Sequence, residues 1–311
     1  MKKILLTSTS FQDTPGRHQD ALKATGFQID VLRGPLKEEV LLGVIAEYDG
    51  VICGDDAYTA AVIKKGQAGR LRVISKYGIG LDKIDLEAAR ACGVLVTNCP
   101  GVNHTTVAEH VFAMLLAFSR NIIPENAITR EGRWQRITGH ELFGKRLGVF
   151  GLGRIGKEVA IRAKAFGMEV WAFDKFMDTE FVAKHGIQAV DSLAQLAEQV
   201  DVLSLHSFLD AESRGVISNK LVNDHVKKGM LLINTARGEL VEEAAILHGL
   251  RSGILSGYLT DVLDEEPMRA NHPYLQFENV IITPHIGSRT FESVERQGLM
   301  AVENLCQNSK S

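Results

Sequence analysis

A glycine-rich turn between a short apolar strand and a helix-forming segment constrains this chain more than any other feature. The turn is Gly151-Leu-Gly-Arg-Ile-Gly156, with the strand pattern at 146–150 and the helix pattern at 157–166. A second apolar strand pattern, 168–173, ends on Asp174. Strand, glycine turn, helix, strand and acid within about thirty residues form the βαβ unit that binds dinucleotides. The pattern therefore predicts a parallel sheet covered by helices around this turn.

Each glycine of the turn has its own physical reason. Gly151 permits the tight turn, Gly153 lets the backbone approach a pyrophosphate, and Gly156 lets helix and strand pack closely. Asp174 can accept hydrogen bonds from both hydroxyls of an adenosine ribose and would repel a 2′-phosphate, which favours NAD over NADP. Lys175, directly after the acid, leaves a minor route to NADP. Glycines alone would also fit an ordinary strand–helix turn, so the acid decides the interpretation.

Composition excludes several classes of protein. The 311 residues suffice for two domains of ordinary size. A hydrophobic fraction of 45% and a charged fraction of 23% fit a soluble globular protein. A net charge of −3 gives no reason to expect nucleic-acid or anionic-membrane binding. The longest apolar run, 111–118, is far too short to span a bilayer. We therefore predict no nucleic-acid partner and no membrane partner.

Cysteine and histidine usage predicts neither a metal site nor a disulfide framework. The four cysteines form no C-x-x-C pair, and the ten histidines are scattered without metal-ligand spacing. The apolar segment Ile4–Leu6 is too brief for a signal-peptide core and is typical of a first strand. A reducing, cytoplasmic location is the resulting prediction.

Strand and helix patterns alternate in two series, which predicts an α/β protein with two doubly wound parallel sheets. A long apolar helix pattern, Thr105 through Arg120 and stopped by Pro124, separates the two series. The tail Phe291–Gln307 is predicted to be a docking helix. The predicted strands are Lys3–Thr7, Gln28–Leu32, Gly50–Cys53, Arg72–Ser75 and Val94–Thr97, then the strand from Leu147, Glu169–Phe173, Val202–Leu205, Met230–Asn234, Leu255–Tyr258 and Val280–Thr283.

Three functional side chains each follow a predicted strand, where ligands bind in doubly wound sheets. Taken singly, Arg237 could be a surface arginine, Glu266 part of a solvated acidic loop and His285 a structural histidine. Together they predict a site. His285 would relay a proton near neutral pH, Glu266 would fix its tautomer, and Arg237 would hold a carboxylate and polarise the adjacent carbonyl. With NAD, these groups suit the couple of a 2-oxo acid and a 2-hydroxy acid.

The chain resembles the D-isomer-specific 2-hydroxyacid dehydrogenase family, which includes D-3-phosphoglycerate dehydrogenase, glyoxylate/hydroxypyruvate reductase and D-lactate dehydrogenase. The resemblance covers nearly the whole chain. It rests on six motifs in order: Gly78-Ile-Gly80-Leu-Asp82, Val107-Ala-Glu-His110, the glycine turn, Asn234-Thr-Ala-Arg-Gly238, Asp261 through Glu266-Pro267, and Pro284-His285.

The resemblance implies an architecture and an assembly. It implies a discontinuous, flavodoxin-like substrate/catalytic domain, residues 1–98 plus 285–311, and a Rossmann NAD-binding domain, residues 99–284, with the small-molecule substrate in the cleft between them. It also implies a homodimer formed largely by the NAD-binding domains.

The resemblance also implies roles for single residues. Arg237, Glu266 and His285 would be catalytic, and the backbone N–H groups of Ile79 and Gly80 would receive the substrate carboxylate. Thr235 and Asp261 would flank the nicotinamide, with Asp261 at its carboxamide, while Arg154 and Ile155 would meet the pyrophosphate. The full set of expected cofactor-binding residues is Thr106, Gly151, Gly153, Arg154, Ile155, Gly156, Asp174, His206, Ser207, Thr235, Ala236, Asp261 and Gly287.

Departures from the family pattern bear on the substrate. Phosphoglycerate dehydrogenases usually carry an arginine where this chain has Gly54, followed by Asp55-Asp56, and a second common arginine is replaced by Lys76. Two carboxylates disfavour a phosphate, so hydroxypyruvate or glyoxylate is favoured, and Lys76 keeps 3-phosphoglycerate possible as a substrate. The usual His-x-Pro-Leu is His206-Ser-Phe208-Leu209, which reshapes one cofactor wall.

Two other functions share this fold. One is an NADH-sensing binding protein resembling the transcriptional corepressors of the family, without significant turnover; those carry extra peptide-docking features and extended tails. The other is formate dehydrogenase, which lacks the glutamate partner, whereas Glu266 is present. The complete set of arginine, glutamate and histidine favours an active dehydrogenase.

Overall fold

The computed structural model describes residues 1–308, and these separate into two compact units. The first unit contains Met1–Asn103 and the chain from Ser288 on; the second is His104–Gly287. Each unit contains one wholly parallel sheet with helices between its strands. The predicted α/β class with two parallel sheets is therefore confirmed.

The sheet of the first unit has the order β2-β1-β3-β4-β5. Two of its inner strands, β3 and β4, are buried along their whole length, which is typical of parallel sheets covered on both faces. The elements are β1 (Lys3–Leu6), α1 (Thr9–Asp13), α2 (Arg17–Ala24), β2 (Gln28–Val31), α3 (Glu38–Val44), β3 (Gly50–Cys53), α4 (Ala60–Ala68), β4 (Val73–Lys76), α5 (Leu86–Ala91) and β5 (Leu95–Thr97).

The sheet of the second unit has the order β12-β11-β10-β9-β6-β7-β8, with apolar cores on both of its faces. The elements are α6 (His104–Ser119), α7 (Ile122–Arg130), β6 (Arg146–Phe150), α8 (Arg154–Ala165), β7 (Glu169–Phe173), α9 (Thr179–His185), β8 (Gln188–Ala189), α10 (Leu193–Gln199), β9 (Val202–Leu205), α11 (Asn219–Asp224), β10 (Met230–Asn234), α12 (Glu243–Ser252), β11 (Leu255–Thr260) and β12 (Val280–Ile282).

The long helix α6 does not end for the reason predicted. It ends at Ser119, and Asn121 follows in the left-handed conformation, with φ at 53°. Pro124 does not stop α6, because it lies in the first turn of the next helix, α7, where the missing N–H would have no intrahelical partner. The expectation that Pro124 terminates the long helix was therefore wrong.

The final helix, α13 (Phe291–Asn308), completes the first unit. Val294 and Leu305 are fully buried in the core of that unit. An ion-pair cluster fastens the segment before the helix: the Asp13 carboxylate binds Arg33 at 2.7 Å and Arg289 at 2.6 Å. These guanidinium groups, Arg33 first, lower the pKa of Asp13 to about 2.

Within residues 1–308, no single helix combines the length and the apolar composition of a membrane span. Only α6 and α7 taken together, with a 60° bend between them, have the length and composition of a broken span.

Candidate active site

The strands of the second sheet end in register at their carboxyl ends. Phe150 at the end of β6 pairs with Phe173 of β7 and with Leu205 of β9, and Asn234 of β10 pairs with Thr260 of β11. Ligands of doubly wound sheets bind at this edge, at the point where the strand order reverses. Five of the predicted residues come directly after these strand ends: Gly151, Asp174, His206, Thr235 and Asp261.

The glycine turn leaves space where a dinucleotide needs it. Gly151 has φ at +95°, and a Cβ there would lie 2.6 Å from the backbone N of Ser207. A Cβ on Gly156 would lie 2.1 Å from the Gly151 carbonyl oxygen, so the helix could not pack as closely. A Cβ on Gly153, by contrast, would have no atom of the more distant described residues within 4 Å.

The helix behind the turn offers its N-terminus to the same space. α8 begins with Arg154 and Ile155, and its N-cap, Gly153, provides no side-chain cap. The first backbone N–H groups of a helix lack intrahelical acceptors, and such an end attracts a phosphate. The turn and the helix therefore fit a pyrophosphate.

Asp174 braces this turn. One of its carboxylate oxygens accepts a hydrogen bond from the backbone N–H of Leu152 at 2.6 Å, and the other accepts from that of Phe176 at 2.8 Å. The carboxylate is partly exposed at the end of β7, where it retains lone pairs for ribose hydroxyls.

Lys175 follows Asp174 directly and could have favoured NADP by binding its 2′-phosphate, but it is paired with two acids. Its ammonium group lies 2.7 Å from the carboxylate of Glu212 and 3.3 Å from that of Asp210. Both contacts raise the pKa of Lys175, Glu212 the more strongly. A 2′-phosphate would therefore meet a lysine whose charge is largely balanced, which favours NAD.

Two buried polar atoms along this edge have no hydrogen-bond partner within the described chain. They are the Thr235 hydroxyl oxygen and Nδ1 of His206. The other ring nitrogen of His206 lies 2.8 Å from the Ser204 hydroxyl, and burial lowers the pKa of His206 to about 3. Buried polar groups usually have partners, so these two atoms fit a site that a polar ligand completes. Ser207 and Ala236 are the next residues along each loop.

His285 and Glu266 are in direct contact. Nδ1 of His285 lies 2.8 Å from Oε2 of Glu266, while Oε1 of Glu266 accepts a hydrogen bond from the backbone N–H of Leu263. Because Nδ1 contacts the carboxylate, proton transfer to a ligand would involve Nε2. His285 has φ at 53°, a conformation that is uncommon outside glycine and that is found at functional sites.

Arg237 lies in a turn held by Asn234. The Asn234 side chain donates to the Arg237 carbonyl at 2.8 Å and accepts from the backbone N–H of Ala236 at 3.1 Å. A Cβ on Gly238 would lie 2.0 Å from the carbonyl carbon of Leu263. The turn that carries Arg237 therefore packs directly on the loop that carries Glu266, and only glycine allows this contact.

Asp261 is buried and holds the backbone around His285. Its carboxylate accepts hydrogen bonds from the backbone N–H groups of Ile286 at 2.9 Å and Gly287 at 2.7 Å, and from the Thr283 hydroxyl at 2.5 Å. Its backbone carbonyl accepts from the His285 N–H at 2.9 Å. The role expected for Asp261, at the nicotinamide carboxamide, stays a prediction; the observed contacts make it a support for the 283–287 turn.

His110 and Asn234 belong to motifs quoted above, but neither was predicted to have a role of its own. His110 contacts the Thr283 hydroxyl at 2.9 Å and lies 3.4 Å from the Asp261 carboxylate. Asn234 shapes the Arg237 turn. A signal was available only for Asn234, which occupies the last position of a buried strand, where polar residues are rare. Thr106 is buried in the first turn of α6.

The predicted substrate residues lie at the carboxyl edge of the first sheet. Lys76 is the last residue of β4, and its ammonium group donates to Asp55 at 2.9 Å and to the Tyr77 carbonyl at 3.2 Å. Asn98 donates to the carbonyl of Ile79 at 2.8 Å, which fixes the loop that contains Ile79 and Gly80.

Among the residues that the structure describes, one side-chain group has the spacing of metal ligands: Glu243, Asp264 and His272 have ligand atoms within 4.8 Å of one another. Two of its members already have other partners. Nδ1 of His272 accepts from the backbone N–H of Tyr274, and the guanidinium of Arg269 lies 3.3 Å from the Glu243 carboxylate. These contacts account for the group without a cation.

Comparison with known proteins gives the same assignment as the motifs. Residues 112–287 match the sequence model of the NAD binding domain of D-isomer specific 2-hydroxyacid dehydrogenases. The chain is 36% identical over 309 residues to D-3-phosphoglycerate dehydrogenase of Methanocaldococcus jannaschii, covering 98% of this chain and 57% of that one. It is 33% identical over 288 residues to glyoxylate reductase of Korarchaeum cryptofilum, covering 90% and 86%.

A solved structure shows the same fold. The apo-structure of D-lactate dehydrogenase from Escherichia coli matches with a TM-score of 0.85 and 25% identity, covering 99% of this chain and 96% of that one. The chain spans only about half the length of the phosphoglycerate dehydrogenases that it matches. Its second unit contains the NAD-binding domain of the matched family, so NAD is its cofactor.

Proposed function

The chain belongs to the D-isomer-specific 2-hydroxyacid dehydrogenase family, and on that premise we propose that it is an NAD-dependent D-2-hydroxyacid dehydrogenase. Its reaction would interconvert a small 2-oxo acid and the D-2-hydroxy acid, with hydroxypyruvate or glyoxylate favoured as the oxo acid. The observation that carries this proposal is the 2.8 Å contact between His285 and Glu266 at the edge of the NAD-binding sheet.

Each of three side chains has one part in the proposed reaction. Bound NADH would supply the hydride. Nε2 of His285 would give a proton to the carbonyl oxygen of the oxo acid and take it back in the reverse direction. Glu266 would hold the imidazole in the tautomer that this requires and balance its charge when it is protonated. Arg237 would bind the substrate carboxylate through its planar guanidinium and polarise the neighbouring carbonyl.

The proposed substrate class rests on the charges near the carboxyl edge of the first sheet. Relatives named phosphoglycerate dehydrogenase and glyoxylate reductase have similar identities to this chain. We favour the unphosphorylated acids because Asp55 and Asp56 stand where a phosphate would need cations. The assignment of Lys76, Ile79 and Gly80 to the substrate stays a prediction.

A panel of 2-oxo acids assayed with NADH and with NADPH tests the function. Hydroxypyruvate, glyoxylate, pyruvate, phenylpyruvate and 3-phosphohydroxypyruvate cover the chemistry of the family, and loss of NADH absorbance reports turnover. We expect turnover with NADH and an unphosphorylated acid. If NADH bound but no acid were reduced, the NADH-sensing alternative would replace the enzyme.

A pair of histidine variants tests the proton donor. His285→Gln should lower kcat/KM by a factor of about 10² to 10⁴. The matched control is His225→Gln: His225 also contacts a glutamate, Glu198, at 2.6 Å, and both histidine side chains are 35% exposed. The control should retain full activity. Equal activities in the two variants would contradict the role of His285.

The second unit carries an apolar surface that fits the expected homodimer. Trp134 is 80% exposed, Phe143 77%, Ile122 56% and Ile123 53%, all within residues 122–143. Large exposed apolar side chains concentrated in one segment mark a protein interface, and a second copy of the chain is the occupant that we propose.

Trp134→Glu combined with Phe143→Glu should yield monomers in light scattering, whereas Phe291→Glu, at a 69% exposed position of the first unit, should not. A wild-type chain that is already monomeric would refute this part.

A further inference from the structure

A buried lysine at the edge of the first sheet is paired with a partly exposed aspartate. The Lys76 side chain is only 5% exposed, and its ammonium group lies 2.9 Å from the carboxylate of Asp55, which is 44% exposed. A buried ammonium group is tolerated only when its charge is paired and its protons are hydrogen-bonded. Asp55 supplies that charge, and the Tyr77 carbonyl supplies a further acceptor. The lysine is therefore locked into a local ion pair.

The pair lies beside the loop that is predicted to receive the substrate carboxylate. Cys53 at the end of β3 pairs with Lys76 at the end of β4, so both carboxyl ends share one edge of the sheet. The lysine ammonium lies 3.7 Å from the position of a Cβ on Gly78, which has φ at +118°. The Asp55 side chain is partly exposed to solvent.

A second aspartate adds to the negative side of this edge. Asp56 is fully buried, and it accepts hydrogen bonds from the Thr7 hydroxyl at 2.5 Å and from the backbone N–H of Leu36 at 2.7 Å. The Lys76–Asp55 pair sums to zero charge, and Asp56 can only make the edge more negative. A phosphate dianion would have to displace Asp55 before it could pair with this lysine.

We propose that Asp55, through its ion pair with Lys76, is a specificity residue that selects 2-oxo acids whose only anionic group is the carboxylate. This inference rests on the proposed dehydrogenase function and adds the substrate class to it. An uncharged hydroxymethyl or hydrogen substituent would be accepted, and a phosphorylated substituent rejected. Specificity of this kind comes from a repulsive group set against the wrong ligand.

The test compares two substrates that differ only by a phosphate, hydroxypyruvate and 3-phosphohydroxypyruvate. We expect wild-type kcat/KM to favour hydroxypyruvate by at least about tenfold, equivalent to about 1.4 kcal/mol. Asp55→Asn removes the carboxylate charge beside Lys76, so this preference should fall by about tenfold or more, chiefly through a lower KM for the phosphorylated acid.

A matched control isolates the effect of the charge. Asp30 also pairs with a lysine, Lys3, at 3.1 Å, and is 37% exposed, but it lies on the edge strand β2 and away from the loop at Gly78. Asp30→Asn should leave the preference unchanged. An unchanged preference in folded Asp55→Asn would overturn the proposal.

A second variant covers the case in which Asp55→Asn does not fold. Asp55→Glu keeps the charge and should retain the wild-type preference, while wild-type inhibition by 3-phosphoglycerate should be weaker than inhibition by D-glycerate. Stronger inhibition by 3-phosphoglycerate would overturn the proposal without any variant. If the wild type reduced neither acid, the dehydrogenase function would fail; if it reduced hydroxypyruvate but preferred the phosphorylated acid, only the specificity role of Asp55 would fail.

Discussion

Asp56 in the first unit and Asp261 in the second are both buried aspartates just past the end of a parallel strand, yet their pKa values move in opposite directions. Asp56 is 0% exposed and Asp261 is 2% exposed. Burial raises the pKa of both carboxyl groups. For Asp56 burial outweighs its hydrogen bonds, and the pKa is raised. For Asp261 the donors, His110 first and then Thr283 and Ile286, outweigh burial, and the pKa is lowered.

The donor sets explain the difference. Asp56 accepts from the Thr7 hydroxyl and from the backbone N–H groups of Leu36 and Gly54, the last at a long 3.1 Å. Asp261 also accepts from one threonine hydroxyl and two backbone N–H groups, but both N–H contacts are within 2.9 Å, and the His110 ring is added at 3.4 Å. Burial alone therefore does not determine whether a carboxyl group is charged. The number of its hydrogen-bond donors and their distances also decide.

The largest expected effect is a difference in stability between two neutral substitutions. Asp261→Asn removes a charged acceptor from several donors and should reduce the free energy of unfolding at pH 7 by about 3 kcal/mol. Asp56→Asn should cost about 1 kcal/mol or less, since the folded state gains little from the charge of Asp56. Urea unfolding followed by circular dichroism measures both. Equal losses would mean that the two donor sets are equivalent.

The same two variants should change the pH dependence of the free energy of unfolding in opposite directions. The lowered pKa of Asp261 contributes stability that is present above its unfolded pKa, near 3.9, and is lost as pH falls through the folded value. The raised pKa of Asp56 does the reverse: its contribution is present below the unfolded pKa and is lost as pH rises through the folded value. Between pH 3 and pH 7, Asp261→Asn should therefore flatten the rise in stability, and Asp56→Asn should steepen it. Unfolding curves measured across that range give the slope of the free energy of unfolding against pH for each variant. If both variants changed this slope in the same direction, the pKa values of Asp56 and Asp261 could not be shifted in opposite directions.

The smallest expected effect comes from removing one matched donor at each site. Thr283→Val and Thr7→Val each delete a hydroxyl that donates at 2.5 Å to one of the two carboxylates. Each should cost about 1 to 2 kcal/mol at pH 7, with the larger cost for Thr283→Val because Asp261 is the more fully ionised acceptor. At pH 3 the two costs should converge. If Thr7→Val lowered the stability at pH 7 more than Thr283→Val did, Asp261 would not be the more fully ionised of the two carboxyl groups.

The strands could be predicted because parallel strands buried on both faces leave a continuous apolar pattern. Gly50–Cys53, Glu169–Phe173, Val202–Leu205 and Met230–Asn234 have the predicted bounds. The two-residue strand β8 was missed because Gln188 and Ala189 are exposed and carry no such pattern. The helix α7 was missed because its start depends on the left-handed Asn121, which no hydrophobic period signals.

The position of the candidate site could be predicted better than its contacts. Residues placed directly after strands, such as Asp174 and Thr235, must meet at one edge once the strands are parallel and in register. The contact of His110 with Thr283 joins residues 173 positions apart, and that of Lys76 with Asp55 joins residues 21 apart. Such pairs depend on side-chain directions that only the folded chain defines.

The division of the chain into units has a consequence for its synthesis. The second unit is continuous, so all of its strands have been synthesised before α13 is made. The first unit, by contrast, is assembled from both ends of the described chain, and its sheet stays without α13 until the last residues emerge. The second unit can complete its sheet without α13, whereas β3 and β4 need α13 to cover one of their apolar faces. A chain truncated after Gly287 would therefore contain the whole second unit but leave the first sheet without α13.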